Sequence, residues 1–239
     1  MSTYLGTYKH QLATTFWLPK SQKLGRKLRP HQRTNRSLKM LSLTSDENFV
    51  EIPAFVDAKL TLRDTVFLLT YSNFRRMRLE SEGFEVLTTA RYEDIISSTS
   101  NELTESFPFE ILNLDFLSQD PTAHDGRVER EIESIEITFK LENERQSGAL
   151  RGFILIYTTL IDEKTIDLRG LVTKLNSHSV DGWSGMNPSH YPNAATTLDQ
   201  KLSSLEKLVK DMAAKYGYTV INYYQTSPDA LCSVILGVR

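Results

Sequence analysis

Strand-like and helix-like segments alternate along the chain from Asp46 onward, and this alternation constrains the fold more than any other feature of the sequence. Residues 65–71 form an uninterrupted β-branched and aromatic run, and residues 109–116 form a further short strand-like segment. Residues 127–145 and 198–216 instead carry apolar side chains every three or four positions. Strands that alternate with helices form a layered α/β fold with a mainly parallel sheet. A length of 239 residues is sufficient for one such domain.

We predict five strands within this alternation and two further strands that close the chain. The link between the last two, residues 225–230, is short and contains a proline, which favours an antiparallel hairpin over a crossover. The predicted strands cover residues 48–55, 65–71, 84–89, 109–116, 152–159, 218–224 and 231–238. The main predicted helices cover residues 73–83 (with Asn73 as the cap), 127–145, 167–176 and 198–216.

The charges are divided unevenly between the start of the chain and the remainder. Residues 1–45 contain nine Lys or Arg and no Asp or Glu, although the whole chain has a net charge of −2. We therefore predict two regions: a basic N-terminal arm over residues 1–45 and an α/β domain over residues 46–239. The candidate polyanion-binding side chains in the arm are Lys20, Lys23, Arg26, Lys27, Arg29, Arg33 and Arg36.

This basic arm has two interpretations that the sequence leaves open. It can place its charges on the phosphates of RNA or DNA, in which case binding weakens steeply with salt. Alternatively, it can fold back on the acidic remainder of the chain or bind an acidic protein surface, with Phe16, Trp17 and Leu18 as an apolar anchor.

Composition excludes several other classes of protein. The longest apolar run, residues 152–161, is shorter than the roughly 20 residues that a membrane helix needs, so we predict no membrane partner. Cys232 is the sole cysteine, which excludes a disulfide framework and favours the cytoplasm. Asp120, His124 and Asp125 cluster, but their spacing fits no defined metal site, so no metal is predicted.

The element order resembles the class I S-adenosylmethionine-dependent methyltransferase fold. The most specific local match is Asn113-Leu-Asp-Phe116, at the end of the predicted fourth strand, where nucleic-acid amino-methyltransferases carry an Asn/Asp-Pro-Pro-aromatic motif. The resemblance implies a three-layer, Rossmann-like α/β fold whose seven-stranded, mostly parallel sheet has the order 3-2-1-4-5-7-6 and ends in an antiparallel hairpin. It also implies S-adenosylmethionine as the cofactor if the protein is active.

Three residues of this match are the candidate catalytic set: Asn113, Asp115 and Phe116. The oxygens of Asn113 and Asp115 can accept hydrogen bonds from an exocyclic amine, and Phe116 can stack on a base. The alternative is that Asn113 and Asp115 satisfy backbone donors in the following turn. Trp183, in a long loop before the last helix, is a further candidate for stacking on a base.

The cofactor half of the resemblance is incomplete. Methyltransferases of this type have a glycine-rich turn after the first strand, but the corresponding positions around Pro53 and Ala54 contain no glycine. They also have an acidic residue after the second strand, where this chain has Ser72 and Asn73. The sequence therefore predicts a degenerate methyltransferase-like protein with no cofactor.

We accordingly expect a non-catalytic, nucleic-acid-binding component of a complex with other protein subunits. Whether the protein is an enzyme is left open: the alternatives are an active nucleic-acid base methyltransferase and a protein-interaction subunit that binds no nucleic acid. Arg75, Arg76 and Arg78 form a second basic group, either a solvated helix face or a contact for a phosphate.

Overall fold

The fold is described from a computed structural model. It describes residues 10–28, 37–44, 51–70, 72–98, 101–116, 127–145, 152–160, 167–177, 185–195, 197–226 and 231–239.

Seven strands and eight α-helices lie within these residues, with 3₁₀ turns at Arg63–Thr65 and Pro188–His190. A π-helical turn over Ala13–Trp17 runs directly into the first α-helix. The strands are β1 (Met40–Leu43), β2 (Val66–Leu69), β3 (Glu85–Thr88), β4 (Ile111–Asp115), β5 (Phe153–Leu160), β6 (Val220–Thr226) and β7 (Leu231–Val238). The helices are α1 (Leu18–Leu28), α2 (Glu51–Asp57), α3 (Asn73–Ser81), α4 (Tyr92–Ile95), α5 (Glu102–Glu105), α6 (Arg127–Arg145), α7 (Leu168–Asn176) and α8 (Leu198–Lys215).

The seven strands form one sheet in the order β3-β2-β1-β4-β5-β7-β6. All neighbouring pairs from β3 to β5 are parallel, and β7 is antiparallel to both β5 and β6. This order and the closing antiparallel hairpin confirm the predicted fold class. Six of the seven predicted strands and all four of the main predicted helices are present within a few residues of their predicted bounds.

The predicted first strand is wrong. The strand at the centre of the sheet is Met40–Leu43, and Glu51–Asp57 is a helix. Ile52 and Phe55, three residues apart, are both buried, as on one face of a helix, and Pro53 lies in the first helical turn, where its missing N–H costs nothing. β1 is only four residues long and lies inside the basic segment, so neither alternation nor length distinguishes it in the sequence.

Both faces of the sheet are covered, which gives three layers and two hydrophobic cores. One core lies between the sheet and α4 to α8, and it contains the apolar stripe of α6, including Ile132, Ile135 and Phe139. The other core lies between the sheet and the N-terminal helices, α2 and α3. Such double coverage is what a mostly parallel sheet requires.

The N-terminal helical segment is part of this second core. Trp17 and Leu24 are fully buried, and α1 contacts β5 and β7. Gly237 on β7 permits this close approach, since a Cβ at this position would lie 2.8 Å from Cδ2 of Leu24. Residues 10–28 and 37–44, which the sequence assigned to an arm, therefore belong to the folded unit, and Trp17 is an internal anchor that is buried away from any partner.

The helix after β2 begins as predicted but with a different cap. Ser72 is the N-cap of α3 and its side chain accepts a hydrogen bond from the backbone N–H of Arg75, whereas Asn73 is the first helical residue.

Across the described residues, no helix is long and apolar enough to cross a membrane.

Replacing Trp17 with alanine tests whether the N-terminal segment is integral to the fold. We expect Trp17→Ala to lower the free energy of unfolding by about 3–5 kcal/mol, because it opens a cavity in the core. Urea denaturation followed by circular dichroism measures this change. Thr14→Ala, at an exposed position on the same segment, should change it by less than about 0.5 kcal/mol. Equal stabilities for the two variants would show that the segment does not contribute to the core.

Candidate functional site

The candidate site lies at the carboxyl ends of the parallel strands. The strand order reverses between β1 and β4, because β2 and β3 lie on one side of β1 while β4 and β5 lie on the other. In open α/β sheets, ligands bind outside the carboxyl ends of the strands at such a reversal.

A row of buried polar side chains crosses the sheet at this edge. Asp115 pairs with Thr158, and Thr158 pairs with Ser233. On the other side, Thr44 and Thr70 directly follow the paired residues at the ends of β1 and β2. The carboxyl-edge polar row consists of Thr70, Thr44, Asp115, Thr158 and Ser233, all of them buried.

The row lies on the sheet face that the N-terminal helices cover. Side chains alternate between the two faces of a strand, and the intervening Leu43, Leu69, Leu114 and Tyr157 all belong to the opposite core. One face of the sheet therefore changes from apolar to polar at the end of its strands, where a ligand would lie in this fold.

Asn113 lies one layer below the row. Its Nδ2 donates a hydrogen bond to Oγ of Ser42 at 3.0 Å, across the β1–β4 pair. Within the described part of the chain, its buried Oδ1 accepts no hydrogen bond, and the buried Oγ1 of Thr70 likewise has no partner. Buried polar atoms without partners are costly, so these two atoms are the positions at this edge where a ligand donor would gain most.

Trp17 closes one end of the row. Its Nε1 donates to Oγ of Ser233 at 2.8 Å, and Ser233 in turn lies 2.9 Å from Oγ1 of Thr158. The indole thus covers the sheet edge at β5 and β7 while satisfying a polar group there.

The structure separates the three candidate catalytic residues. Asn113 and Asp115 lie on the same face of β4, as their spacing predicts. Phe116 belongs to the opposite core, where it is fully buried and packs edge-on against Tyr92 and Tyr157, with ring centroids 6.2 and 5.7 Å away. The Phe116 ring is thus a core residue held by this chain's own aromatic side chains and does not lie beside Asn113.

The candidate cofactor positions are also separated. Pro53 and Ala54 lie within α2 and are not at the end of β1, because the predicted first strand was misplaced. The positions that follow β1 are Thr44 and residues 45–50, of which the latter lie outside the described residues; none of these residues is glycine. Ser72 and Asn73 do lie where expected, between β2 and α3.

The basic candidates fall into two groups. The first group lies outside the described residues and consists of Arg29, Arg33 and Arg36. The stacking candidate Trp183 and the cluster of Asp120, His124 and Asp125 also lie outside them. The other four, Lys20, Lys23, Arg26 and Lys27, lie on α1 and are called here the basic face of α1.

The basic face of α1 contacts the edge strand β6 without meeting any carboxylate. The ammonium groups of Lys20 and Lys23 lie 4.6 and 5.8 Å from the ring centroid of Tyr224, and Nζ of Lys27 donates to Oδ1 of Asn222 at 2.5 Å. Among the described residues, the ion pairs join other cations to acidic groups and none includes a cation of α1.

Sequence reasoning missed a buried carboxyl group at the end of β5. Oε1 of Glu131 lies 3.0 Å from Nε of Arg127, and its Oε2 accepts a hydrogen bond from the Tyr157 hydroxyl at 3.0 Å. Burial raises the pKa of Glu131 to about 7, although Arg127 opposes this shift. The signal was available in the sequence, because Glu131 lies three residues after Val128 and four before Ile135, on the apolar stripe of α6.

Two further predictions concern metals and cysteine. Within the ranges that the structure describes, no three His, Cys, Asp or Glu side chains group as metal ligands would. Cys232 is fully buried, and burial raises the pKa of its thiol to about 12, so it is a small core residue and not an activated thiol.

The chain matches no protein-family model and no curated protein. It is similar to solved structures at low identity. Magnesium protoporphyrin IX methyltransferase from Synechocystis PCC 6803 with bound SAH is 14% identical over 92% of this chain and 83% of that chain, with a TM-score of 0.42.

Two other similar structures are also methyltransferases or bind the methyl donor. Precorrin-6y C5,15-methyltransferase from Geobacter metallireducens GS-15 is 12% identical over 90% of this chain and 86% of that chain, with a TM-score of 0.36. TYW2 from M. jannaschii in complex with AdoMet is 8% identical over 91% of this chain and 73% of that chain, with a TM-score of 0.39. The present chain has a class I methyltransferase-like fold, as the order and direction of the seven strands in its sheet show.

The raised pKa of Glu131 predicts a pH dependence of stability. A carboxyl group whose pKa rises from its ordinary 4.5 to about 7 on folding binds more protons in the folded state between these values. Its contribution to the free energy of unfolding is therefore full below pH 4.5 and is lost as the pH rises to about 7. We expect Glu131→Gln to flatten this dependence in urea denaturation across the same pH range.

Glu144→Gln is the matched control, because Glu144 is an exposed residue on the same helix. It should leave the pH dependence unchanged. Parallel pH profiles for the wild-type protein and Glu131→Gln would contradict the assignment.

Proposed function

We propose that this chain is a methyltransferase-fold protein with an eroded cofactor site, which binds nucleic acid through the basic face of α1. It acts as a non-catalytic component of a complex in which other protein subunits supply the chemistry. The observation that carries the proposal is that α1 is packed against the sheet while its four cations have no carboxylate partner among the described residues.

This observation argues against self-neutralisation. Had the basic segment folded back to neutralise an acidic body, its lysines would lie against Glu or Asp, as Lys174 lies 2.6 Å from Glu133 elsewhere in the chain. They lie instead against an aromatic ring and an amide, which leave the positive charge uncompensated. A fixed helix with four uncompensated cations suits a polyanion, since each phosphate contact releases counterions.

The residues at the sheet edge do not fit S-adenosylmethionine. No glycine follows β1, so every residue there carries a Cβ where the main chain would need to pass close to a nucleoside. No carboxylate follows β2 before Glu80, so a ribose would lack its usual acceptor. The polar side chains of the edge are buried within the chain itself.

A second candidate function is an active nucleic-acid base methyltransferase. The unpartnered Oδ1 of Asn113, with Asp115 two residues further along the same face, favours this alternative. Both are acceptors at the position where the family binds the amine that it methylates. In this case S-adenosylmethionine would be the cofactor. An acidic protein surface in place of nucleic acid is the third candidate.

The salt dependence of binding tests the leading proposal. We expect a fluorescein-labelled oligonucleotide to bind with an affinity that falls steeply as salt rises, measured by fluorescence anisotropy. Replacing all four cations of the basic face of α1 with glutamine should reduce the slope of log affinity against log salt by about 3 for a single strand. The control replaces four lysines of the opposite helix layer with glutamine: Lys140, Lys174, Lys207 and Lys210.

The control variant should retain the full slope, since its lysines lie on helices that cover the other face of the sheet from α1. A flat salt response of the wild-type protein, or equal losses in both variants, would refute nucleic-acid binding through α1.

Cofactor binding separates the first two candidates. We expect no saturable binding of S-adenosylmethionine or S-adenosylhomocysteine in calorimetry, because the edge lacks the glycine turn and the ribose acceptor. Stoichiometric binding, with transfer of a labelled methyl group to nucleic acid that Asn113→Ala abolishes, would establish the active methyltransferase instead.

A further inference from the structure

Helix α3 presents the two most exposed large apolar side chains among the described residues. Phe74 is 79% exposed and Met77 is 70% exposed. They are three residues apart and therefore lie on the same face of the helix, whereas Leu79 faces the core and is buried. The Phe74 ring is therefore exposed to solvent on a helix that Leu79 fixes to the core, so the ring is accessible to a ligand.

Cationic side chains surround these two residues. Arg78 lies four residues after Phe74, on the same face, and Arg75 and Arg76 lie on the two positions between Phe74 and Met77. Arg76 and Arg78 are held along the helix by Glu80 and Glu82, at 2.7 and 3.2 Å, with side chains that stay 43% and 50% exposed. No acidic residue lies in the first turn, where the positive end of the helix dipole adds to the arginine charges.

This face and the basic face of α1 belong to the same layer. Leu24 of α1 and Leu79 of α3 pack into the same core, on one side of the sheet, so the two outer faces point away from the sheet on the same side. α1 contacts β7 and β5, and α3 contacts β3. From β7 to β3 there are five strand spacings, so the two helices are about 24 Å apart.

We propose that Phe74, Met77 and Arg78 form a second contact surface for single-stranded nucleic acid, on which the Phe74 ring stacks against an unpaired base. The same strand continues to the basic face of α1, so the inference rests on the proposed function. A duplex keeps its base faces stacked inside, so an exposed ring gains a stacking partner only from a single strand. Base stacking beside cations is the usual arrangement in proteins that bind single strands.

The size of the patch argues against a stable protein interface as its main purpose. Such an interface covers about 800 Å² on each partner, with a core of several apolar anchors. Here two apolar side chains stand among arginines. A base, which needs one ring and a nearby cation, fits this surface better.

The test compares a fluorescein-labelled oligothymidylate of about 15 nucleotides with a duplex of the same length, in fluorescence anisotropy at one salt concentration. We expect Phe74→Ala to weaken single-strand binding at least about fivefold and to leave duplex binding unchanged. Phe74→Trp should retain the affinity, and Phe74→Leu, which is apolar but has no ring, should lose as much as Phe74→Ala. Leu198→Ala is the matched control for an exposed apolar residue on the opposite layer.

Each outcome decides the proposal. Unchanged single-strand affinity in Phe74→Ala, with a loss on substitution of the basic face of α1, overturns this surface and leaves the proposed function standing. Full recovery by Phe74→Leu replaces base stacking with an apolar protein contact and overturns the proposal. Absence of any oligonucleotide binding by the wild-type protein overturns both. Because Phe74 is exposed, thermal denaturation should show equal stability for all variants.

Discussion

The need to cover both faces of a mostly parallel sheet governs this protein, and the N-terminal segment supplies part of that cover. β5 and β7 would expose apolar side chains such as Ile154, Ile156 and Ile235 without it. Trp17 and Leu24 fill this position, and the same packing turns the cationic side of α1 outward. A single interaction therefore completes the core and fixes four positive charges on the surface.

The carboxyl edge of the sheet, unlike the outer side of α1, has its polar groups buried. Its polar row is enclosed by the chain itself, with Trp17 hydrogen-bonded to Ser233 at one end. Enclosed polar groups are stabilising only if they are paired, and the oxygens of Asn113 and Thr70 are not. The edge is thus polar, but no glycine stands in residues 44–50 after β1 and no carboxylate follows β2 before Glu80. This combination is the physical basis of our proposal that the cofactor site is eroded and that the binding surfaces lie on the helices.

The two helix layers have different electrostatic character. On the N-terminal side, α1 carries cations only, and α3 begins with three arginines. On the other side, acidic residues of α6 pair with lysines of α7 and α8, as in the buried contact at 2.6 Å between Glu136 and Lys215. The cations of α1 thus have no carboxylate partner among the described residues, whereas Lys174 and Lys215 on the other layer are each paired with a glutamate. The near-zero net charge of the whole chain conceals this polarity.

The sequence by itself determined the fold class, the closing hairpin and the long helices, because apolar periodicity reports directly which face of an element is buried. It also placed Asn113 and Asp115 correctly at the end of β4. It failed for β1, since a four-residue strand carries too little periodicity to be distinguished from its basic surroundings, and for α2, where a proline in the first turn imitates the end of a strand. Only the tertiary structure decided that Trp17 is a core residue, that Phe116 faces away from Asn113, and that Tyr157 is the hydrogen-bond partner of Glu131. These outcomes depend on contacts between residues that are far apart in the chain, and local sequence carries no record of such contacts.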